Sequence, residues 1–183
     1  MRVIAIGGVP GTGKTTLMRS LLKKLGPSVN FKLGLVQGHF STKAGHPSIY
    51  VMGLYTDDRT FSGTDRLGMA VQPQAIKFAT EVCSKSILIF EGDRLFNRSF
   101  LQAMMTLTPD VHVIVLTAAM DLLHQRYATR ESAQSDTFLK GRHTKVGSIS
   151  TWLGSYPRLQ IHSHETPEDT ERLTERLLSL CQR

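Results

Sequence analysis

The feature that most constrains this 183-residue chain is a glycine-rich turn near its start, Gly8–Thr15, with the sequence GVPGTGKT. It follows the apolar run Val3–Ile6, which predicts a buried strand, and it precedes a helical pattern over Lys14–Leu25. Glycines allow backbone N–H groups to wrap a phosphate where a Cβ would clash, and the helix N-terminus adds its positive dipole end. Motif and context together predict a site for a nucleoside triphosphate and magnesium.

Individual roles follow from the chemistry of the turn. Lys14 is expected to reach the β- and γ-phosphates and to stabilise the transferring group, and the Thr15 hydroxyl is expected to bind Mg²⁺. The residues expected to bind the nucleotide in this segment are Gly8, Gly11, Thr12, Gly13, Lys14, Thr15 and Thr16.

Short apolar runs that predict buried strands alternate with helical patterns along the chain. The predicted strands are Arg2–Gly7, Ser86–Phe90, Val111–Leu116 and Arg158–His162. The predicted helices are Lys14–Leu25, Gln72–Cys83, Phe96–Leu107, Met120–Arg130 and a last one capped by Thr166. This alternation predicts an α/β fold with a mainly parallel sheet of about five strands and helices on both faces. The length favours one domain over residues 1–183.

Residues 31–55 interrupt the alternation. Phe31–Phe40 and Ser48–Tyr55 both have extended character, and the turn-rich segment Ser41–Pro47 separates them. We expect a long antiparallel hairpin that forms an arm, although two separate strands are the alternative. A polar loop over Thr56–Gly68 is predicted to follow.

Basic residues are concentrated near the start of the chain. Residues 1–56 hold seven Lys or Arg and no Asp or Glu, so they account for the whole net charge of +7. Such a region favours a polyanionic partner, either nucleic acid or several phosphates, and the alternative is an ordinary solvated surface.

Cysteine usage and hydropathy exclude several classes of protein. Cys83 and Cys181 are far apart and match no zinc-binding or disulfide pattern. No apolar run approaches the ~18 residues of a membrane span. We therefore expect a soluble, cytoplasmic protein with no membrane partner. Its oligomeric state is not indicated.

Carboxylates at predicted strand ends and loops are the candidate catalytic groups. Glu91 follows the strand Ser86–Phe90, where a carboxylate usually helps to hold Mg²⁺, and Asp93 could deprotonate an attacking hydroxyl. Asp65 lies in a glycine-flanked loop and is the rival for that general base. Their basic neighbours Arg66 and Arg94 are candidate acceptor-binding residues, so the base is left open between two aspartates.

A second group of candidates is cationic. Arg126 and Arg130 lie four residues apart on a predicted helix and so share a face. Lys140, Arg142 and Lys145 follow in a polar stretch, and residues 131–147 are predicted to form a lid whose cations neutralise the transferring phosphoryl group. His39, past a predicted strand, is a candidate platform for a stacking base.

These elements resemble the nucleoside and nucleotide kinase branch of the P-loop proteins. The resemblance rests on the phosphate loop, on Glu91 and Asp93 at a strand end, and on the arginine helix before a basic stretch. It implies the three-layer P-loop NTPase sandwich and transfer of the γ-phosphoryl group of ATP, with Mg²⁺, to a small acceptor. It also implies that Arg126 flanks adenine or phosphate and that Arg130 faces the transferring group.

Three segments, 61–73, 90–96 and 138–145, more narrowly resemble the bacteriophage 5-hydroxymethyluracil DNA kinases. That resemblance implies an acceptor hydroxymethyl group on a pyrimidine in DNA, and hence a DNA partner for the basic first third and the hairpin arm. The chain departs from the family pattern at Gly68, where that pattern has serine. The alternatives are a small-molecule nucleotide or nucleoside kinase, a P-loop ATPase switch and a DNA-binding module.

Overall fold

The computed structural model describes residues 1–55, 62–82, 85–129 and 135–182. Within them, one seven-stranded sheet has the order β2-β3-β4-β5-β1-β6-β7. Its strands are β1 Arg2–Gly8, β2 Val29–Leu33, β3 Val36–Ser41, β4 Ser48–Met52, β5 Ser86–Glu91, β6 Val111–Thr117 and β7 Leu159–Ser163. The helices are α1 Lys14–Leu25, α2 Val71–Glu81, α3 Arg98–Leu107, α4 Met120–Ala128, α5 Asp136–Leu153 and α6 Pro167–Gln182. A 3₁₀ turn spans Thr64–Arg66.

The five strands β4, β5, β1, β6 and β7 run parallel, whereas β2 and β3 extend one edge in antiparallel pairing. Parallel strands need crossover connections, which the helices supply on both faces of the sheet. The structure therefore confirms the predicted α/β fold with a mainly parallel sheet.

Alternation along the central strands divides the core into two layers. Val3 and Ala5 of β1 face a cluster formed with α2, α3 and the end of α5, whereas Ile4 and Ile6 face a cluster formed with α1 and α6. All four side chains are fully buried. A parallel strand covered on both faces reads as an unbroken apolar run, which is why the sequence located β1, β5 and β6 within a residue or two.

The region 31–55 folds differently from its prediction in one respect. The predicted antiparallel pairing exists, because β3 pairs with β4. Phe31–Phe40 is, however, two strands, since Gly34 has φ +59° in a two-residue turn where Leu33 pairs with Val36. Because β4 also pairs with β5, this hairpin is an extension of the main sheet.

The predicted lid, 131–147, falls partly on a regular element. Residues 131–134 lie outside the described part of the chain, and α5 is an 18-residue helix that begins at Asp136. The Ser135 hydroxyl caps it by accepting a hydrogen bond from the Phe138 backbone N–H at 3.3 Å. Gly141 and Gly147 lower the helix propensity of this segment, which explains the weak periodicity of its sequence.

None of the helices in the described ranges has the length and apolar character needed to cross a bilayer. The carboxyl ends of the parallel strands meet along one edge of the sheet, and β1 lies there between β5 and β6. Ligands of open α/β sheets bind at such an edge, so the segments that follow β1, β5, β6 and β7 position the candidate site.

Candidate active site

The turn between β1 and α1 forms a cradle of backbone that side chains could not enter. Gly8, Gly11 and Gly13 have φ values of +147°, +83° and +80°. A Cβ on Gly8 would approach the Leu116 carbonyl oxygen to 2.7 Å, and a Cβ on Gly13 would overlap the His164 ring. The loop is therefore restricted to glycine by conformation and by space, as expected for a segment whose N–H groups approach phosphate oxygens closely.

Lys14 opens α1 and folds back over the cradle. Its ammonium group donates hydrogen bonds to the backbone carbonyls of Gly8 and Val9, at 2.8 and 3.0 Å. Thr12 closes the same turn, since its hydroxyl donates to the Val9 carbonyl at 2.9 Å. Thr15, the predicted metal ligand, lies in the first turn of the helix, next to Lys14.

Arg126 braces the loop from α4. Its guanidinium donates to the carbonyl oxygens of Gly11 at 2.7 Å and Glu165 at 2.8 Å, so it ties α4 to the phosphate loop and to the β7–α6 connection. It also borders a cleft of about 530 Å³ that includes Gly13, Thr16, Thr129, His164, Glu165 and Thr170. The structure thus brings Arg126 and Thr16 to one cleft beside the loop. Arg130, the other predicted arginine of this helix, lies outside the described residues.

Glu91, the predicted metal ligand, ends β5 at the level of Ile6 in β1, two residues before the phosphate loop. Its side chain is buried, and the Tyr55 hydroxyl donates to its Oε1 at 3.3 Å. Burial raises the pKa of Glu91 to about 7, while the positive charge of Lys14 opposes the rise. A buried carboxylate in this position, next to a threonine-bearing loop, suits a Mg²⁺ that completes its coordination with phosphate and water.

The segment Ser62–Arg66 is fastened against Glu91. The Thr64 hydroxyl donates to the Glu91 carbonyl, and Gly63 forms an isolated β-bridge with Leu54. Gly63 has φ +77°, and a Cβ there would overlap the Glu91 carboxylate. These contacts explain the Ser-Gly-Thr-Asp order of the segment: glycine leaves room for the carboxylate, threonine binds the strand end, and Asp65 follows at the site.

Asp65 lies beside the turn that follows β5, with its Oδ1 near Gly92. Burial raises the pKa of Asp65, and the negative charge of Asp93 adds to the rise, whereas Lys14, Arg94 and Arg142 oppose it. The residue is nonetheless exposed to solvent. The structure therefore brings Asp65 within electrostatic range of the loop lysine, of two other predicted acceptor-binding residues, Asp93 and Arg94, and of the lid cation Arg142.

Asp93 is held by two cations of α5. Arg142 Nε lies 2.9 Å from its carboxylate, and Lys145 Nζ lies 3.3 Å away while donating also to the Asp93 carbonyl at 3.0 Å. The Arg142 guanidinium also lies over the Phe138 ring, 4.5 Å from its centroid. Within the described part of the chain, Asp65 has no comparable ion pair, so the two candidate bases have distinct surroundings.

The other residues predicted to bind the acceptor are Arg66, Arg94 and His39, and their surroundings differ. Arg66 and Arg94 follow the two aspartates in sequence and remain partly exposed. Gly68 has room for a larger residue, because the nearest atom to an added Cβ is 3.7 Å away in Leu35. His39 accepts a hydrogen bond from the Tyr55 backbone N–H at 3.3 Å, and burial lowers its pKa. Its contact thus holds Tyr55, and base stacking on His39 stays a prediction.

Three side chains of the site were not among the predicted site residues. Tyr55 contacts Glu91, the Tyr127 hydroxyl donates to the Pro10 carbonyl at 2.9 Å, and the buried His164 ring lies 2.7 Å from the Thr12 carbonyl. Each contact joins segments far apart in the chain, so no local sequence pattern predicts it. The position of His164 directly after the last parallel strand was the available signal.

Comparisons with known proteins identify a family and solved structures of similar fold. A family model described as P-loop Nucleotide Kinase3 matches residues 1–158. Among solved structures, a sugar kinase from Janibacter sp. HTCC2649 aligns with a TM-score of 0.52 at 14% identity, covering 98% of this chain and 93% of its own. A gluconokinase from Sinorhizobium meliloti 1021 aligns at 15% identity with a TM-score of 0.48, covering 98% and 97%. No curated protein matches the chain. The long family match shows that the chain belongs to this P-loop nucleotide kinase family.

Proposed function

We propose that the protein transfers the γ-phosphoryl group of ATP to a hydroxyl group of a free nucleotide or nucleoside. One observation carries the proposal: a glycine-restricted phosphate cradle and a cluster of carboxylates, of which Glu91 is buried, share the same edge of the sheet. Ile6 and Glu91 are register partners, and the Gly92 N–H donates to the Ile6 carbonyl at 3.3 Å. Donor phosphates on the loop would therefore face the acidic cluster directly.

The metal position follows from the same edge. The Thr15 hydroxyl and the Glu91 carboxylate would hold Mg²⁺, since both come from segments that follow adjacent parallel strands. When bound, Mg²⁺ would neutralise charge on the donor phosphates. Tyr55 and Gly63 support this role by fixing the orientation of the Glu91 side chain.

Asp65 is our choice for the general base. Its raised pKa makes it the better proton acceptor, whereas Asp93 is committed to Arg142 and Lys145. The acceptor hydroxyl would pass its proton to Asp65 as its oxygen bonds the γ-phosphorus, and ADP would leave. Because the transition state of such transfers is loose, the base contributes less than charge neutralisation does.

Cations surround the path of the transferring group. Lys14 would stabilise it from the loop, and Arg130 keeps its predicted role at the transferring group. Arg126 would act through the loop, because its guanidinium binds the Gly11 carbonyl. Arg142 would approach from α5, and residues 131–147 would close over the site as a lid. The Asp93 ion pairs support the last role, since they already bring α5 cations to the acidic cluster.

A small acceptor is favoured by what the fold does with the basic first third. Arg2 pairs with Asp110 at 2.9 Å, and Lys24 pairs with Glu171 and Glu175 of α6. Arg19 donates to the Ser62 hydroxyl at 3.0 Å. Several of the seven early cations are thus used inside the fold. Acceptor phosphates would instead meet Arg66 and Arg94 at the site.

A hydroxymethyl group on a pyrimidine in DNA is the second candidate acceptor. What supports it is the convergence of the three segments that carry the resemblance to the phage DNA kinases. Thr64 binds the Glu91 carbonyl, and Arg142 reaches Asp93, so the described parts of all three segments meet at one place. A DNA base would have to leave the duplex, or arrive in a single strand, to reach a site at a sheet edge.

The test is transfer of labelled γ-phosphate from ATP to several acceptors side by side. These are free nucleosides and nucleotides, hydroxymethyluracil DNA, ordinary DNA and water. Label in a free nucleoside or nucleotide, and none in DNA, is the expected result. Label confined to the modified DNA would contradict a free nucleotide or nucleoside as the acceptor and support the hydroxymethyl group in DNA.

The specificity of the assay is checked with a matched pair of lysine variants. Lys14→Ala removes the loop ammonium, whereas Lys23→Ala removes an exposed ammonium from the same helix. Transfer should disappear only in the first. Release of phosphate to water by the wild type, with every acceptor unlabelled, would support a P-loop ATPase and contradict the kinase proposal.

A further inference from the structure

His164 occupies an unusual position for a polar residue. It follows β7, is only 3% exposed and lies between the phosphate loop and α6. Its backbone N–H donates to the Thr117 carbonyl at the end of β6 at 2.9 Å, which fixes the main chain at that point. A buried imidazole usually satisfies both ring nitrogens, so its partners show what it does.

Both ring nitrogens of His164 have partners. Nδ1 lies 2.7 Å from the Thr12 carbonyl oxygen, and Nε2 lies 2.9 Å from the Thr170 hydroxyl of α6. A carbonyl oxygen only accepts hydrogen bonds, so Nδ1 carries a proton and its N–H donates a hydrogen bond to the Thr12 carbonyl of the loop. Thr170 therefore positions the far side of the ring, and the near side binds the phosphate loop.

The contact with Thr12 sets the direction of a peptide group. In a trans peptide the C=O and the following N–H point in opposite directions. Since the Thr12 carbonyl points at His164, the Gly13 N–H points away from it, toward the interior of the cradle. The ring also packs so closely on Gly13 that no Cβ fits there.

The same arrangement occurs at three consecutive carbonyls of the loop. Tyr127 donates to Pro10, Arg126 to Gly11 and His164 to Thr12. All three donors lie on α4 or the β7–α6 connection, outside the cradle. The loop is thus held from outside by side chains rather than by its own backbone alone.

We propose that His164 is a positioning residue that holds the Thr12–Gly13 peptide so that its N–H faces the donor phosphates. The proposal rests on the proposed function in one respect, namely that the loop binds the phosphates of ATP. His164 acts through the loop backbone. Its effect should therefore appear with any ligand that fills the cradle, whether or not that ligand carries a base.

The experiment compares His164→Leu and His164→Asn with wild type by calorimetry, using MgADP and magnesium tripolyphosphate as separate probes. Leucine removes the donor and keeps an apolar side chain, whereas the asparagine amide can restore a donor near Nδ1. We expect His164→Leu to weaken the binding of both probes about tenfold and His164→Asn to retain most of the wild-type affinity. In kinetics, the leucine variant should raise the KM for ATP more than it lowers kcat.

The matched control is His162→Leu, two residues earlier on β7, where the imidazole Nε2 lies 3.4 Å from the Gln160 side-chain oxygen rather than against the phosphate loop. It should leave both affinities within twofold. Thermal unfolding verifies that each variant folds. If His164→Leu does not fold, His164→Asn is compared with Thr170→Val, which removes the Nε2 partner together with a 3.4 Å hydrogen bond to the Thr166 carbonyl and should weaken both probes by two- to threefold.

Three results would overturn the proposal. Unchanged affinity for both probes would show that the hydrogen bond is dispensable. Weaker MgADP with unchanged tripolyphosphate would show that His164 contacts the nucleoside instead. Equal loss in the asparagine and leucine variants would assign the effect to packing. Failure of the wild-type protein to bind either probe would instead overturn the proposed function, and with it the role of His164.

Discussion

The donor side and the acceptor side of the site are held together by different forces. On the donor side, Arg126, Tyr127 and His164 bind backbone carbonyls of the phosphate loop. On the acceptor side, burial raises the pKa of Glu91, and desolvation together with the negative charge of Asp93 raises the pKa of Asp65. The donor side is therefore shaped by hydrogen bonds that cost little to maintain. The acceptor side stores electrostatic strain that removal of a charge would relieve.

The largest expected effect is that of Lys14→Ala. Turnover should fall about 10³-fold, because the ammonium that neutralises the transferring phosphoryl group is lost. At pH 5 stability should change little, since the lost hydrogen bonds join a partly exposed lysine to its own loop. At pH 8 a modest decrease is expected, because Lys14 also favours the charged form of Glu91. Turnover and the midpoint of thermal unfolding are measured on the same preparation. A large loss of stability would contradict the view that the donor side is held mainly from α4 and the β7–α6 connection.

The next largest effect is expected for Glu91→Gln, which separates the two sides most clearly. Turnover should fall about 10²-fold through loss of a metal ligand. At pH 8 the variant should be more stable than the wild type, because the pKa of Glu91 in the folded protein, about 7, lies above its ordinary value of 4.5. A carboxyl group with a raised pKa binds its proton more tightly in the folded state, so stability decreases as the pH rises from about 4.5 to about 7.

At pH 8 the raised pKa of Glu91 lowers the free energy of unfolding of the wild type by about 3 kcal/mol, and the glutamine variant should avoid most of this loss. Urea unfolding at pH 5 and pH 8, without nucleotide, measures the effect. The wild type should lose stability between the two pH values, and the variant should lose less. A variant that is less stable than the wild type at pH 8 would show that the charged carboxylate is well compensated and that the acceptor side is not strained.

The contrast also explains how far the sequence could predict the fold. Strands buried on both faces, such as β1 and β5, appear as unbroken apolar runs and were located closely. Gly34 is a single residue inside the extended segment Phe31–Phe40, and its turn was missed because both flanking strands have the same character. Most of α5 is predicted as a lid rather than as a helix, because two internal glycines weaken its pattern, while tertiary contacts such as Arg142 with Asp93 stabilise it.

The functional site, like the fold, could be predicted from the sequence only in part. The phosphate loop could be assigned residue by residue, since backbone geometry demands glycine at fixed positions. Glu91 could be predicted as a metal ligand because a carboxylate at a strand end lies near the loop in this topology. The choice between Asp65 and Asp93 depended on which of them meets the α5 cations, and that contact joins residues 52 apart in the case of Lys145. No local pattern carries such information.

Asp65→Asn and Asp93→Asn should therefore differ in kind. The first should lower kcat about tenfold or more with little change in KM, because it removes the proton acceptor. The second should act mainly on KM, by a few fold, because it releases Arg142 and Lys145. Since the pKa of Asp65 is raised, wild-type kcat should decline with falling pH at a higher pH than for an ordinary aspartate. Equal effects on kcat from both variants would remove the distinction between them.

The smallest effect is expected from the exposed lysines that lie away from both sides of the site. Lys23→Gln, Lys32→Gln and Lys43→Gln combined should leave transfer to a free nucleotide within twofold, at any salt concentration. Lys24→Gln is the matched control, because its charge is already paired with α6. With DNA as the acceptor, each lysine that contacts a phosphate would contribute about 0.9 to the slope of log affinity against log salt. A flatter slope in the triple variant, with Lys24→Gln unchanged, would mean that these lysines bind a polymer. The acceptor side would then extend over the β2–β3 edge of the sheet rather than end at Arg66 and Arg94.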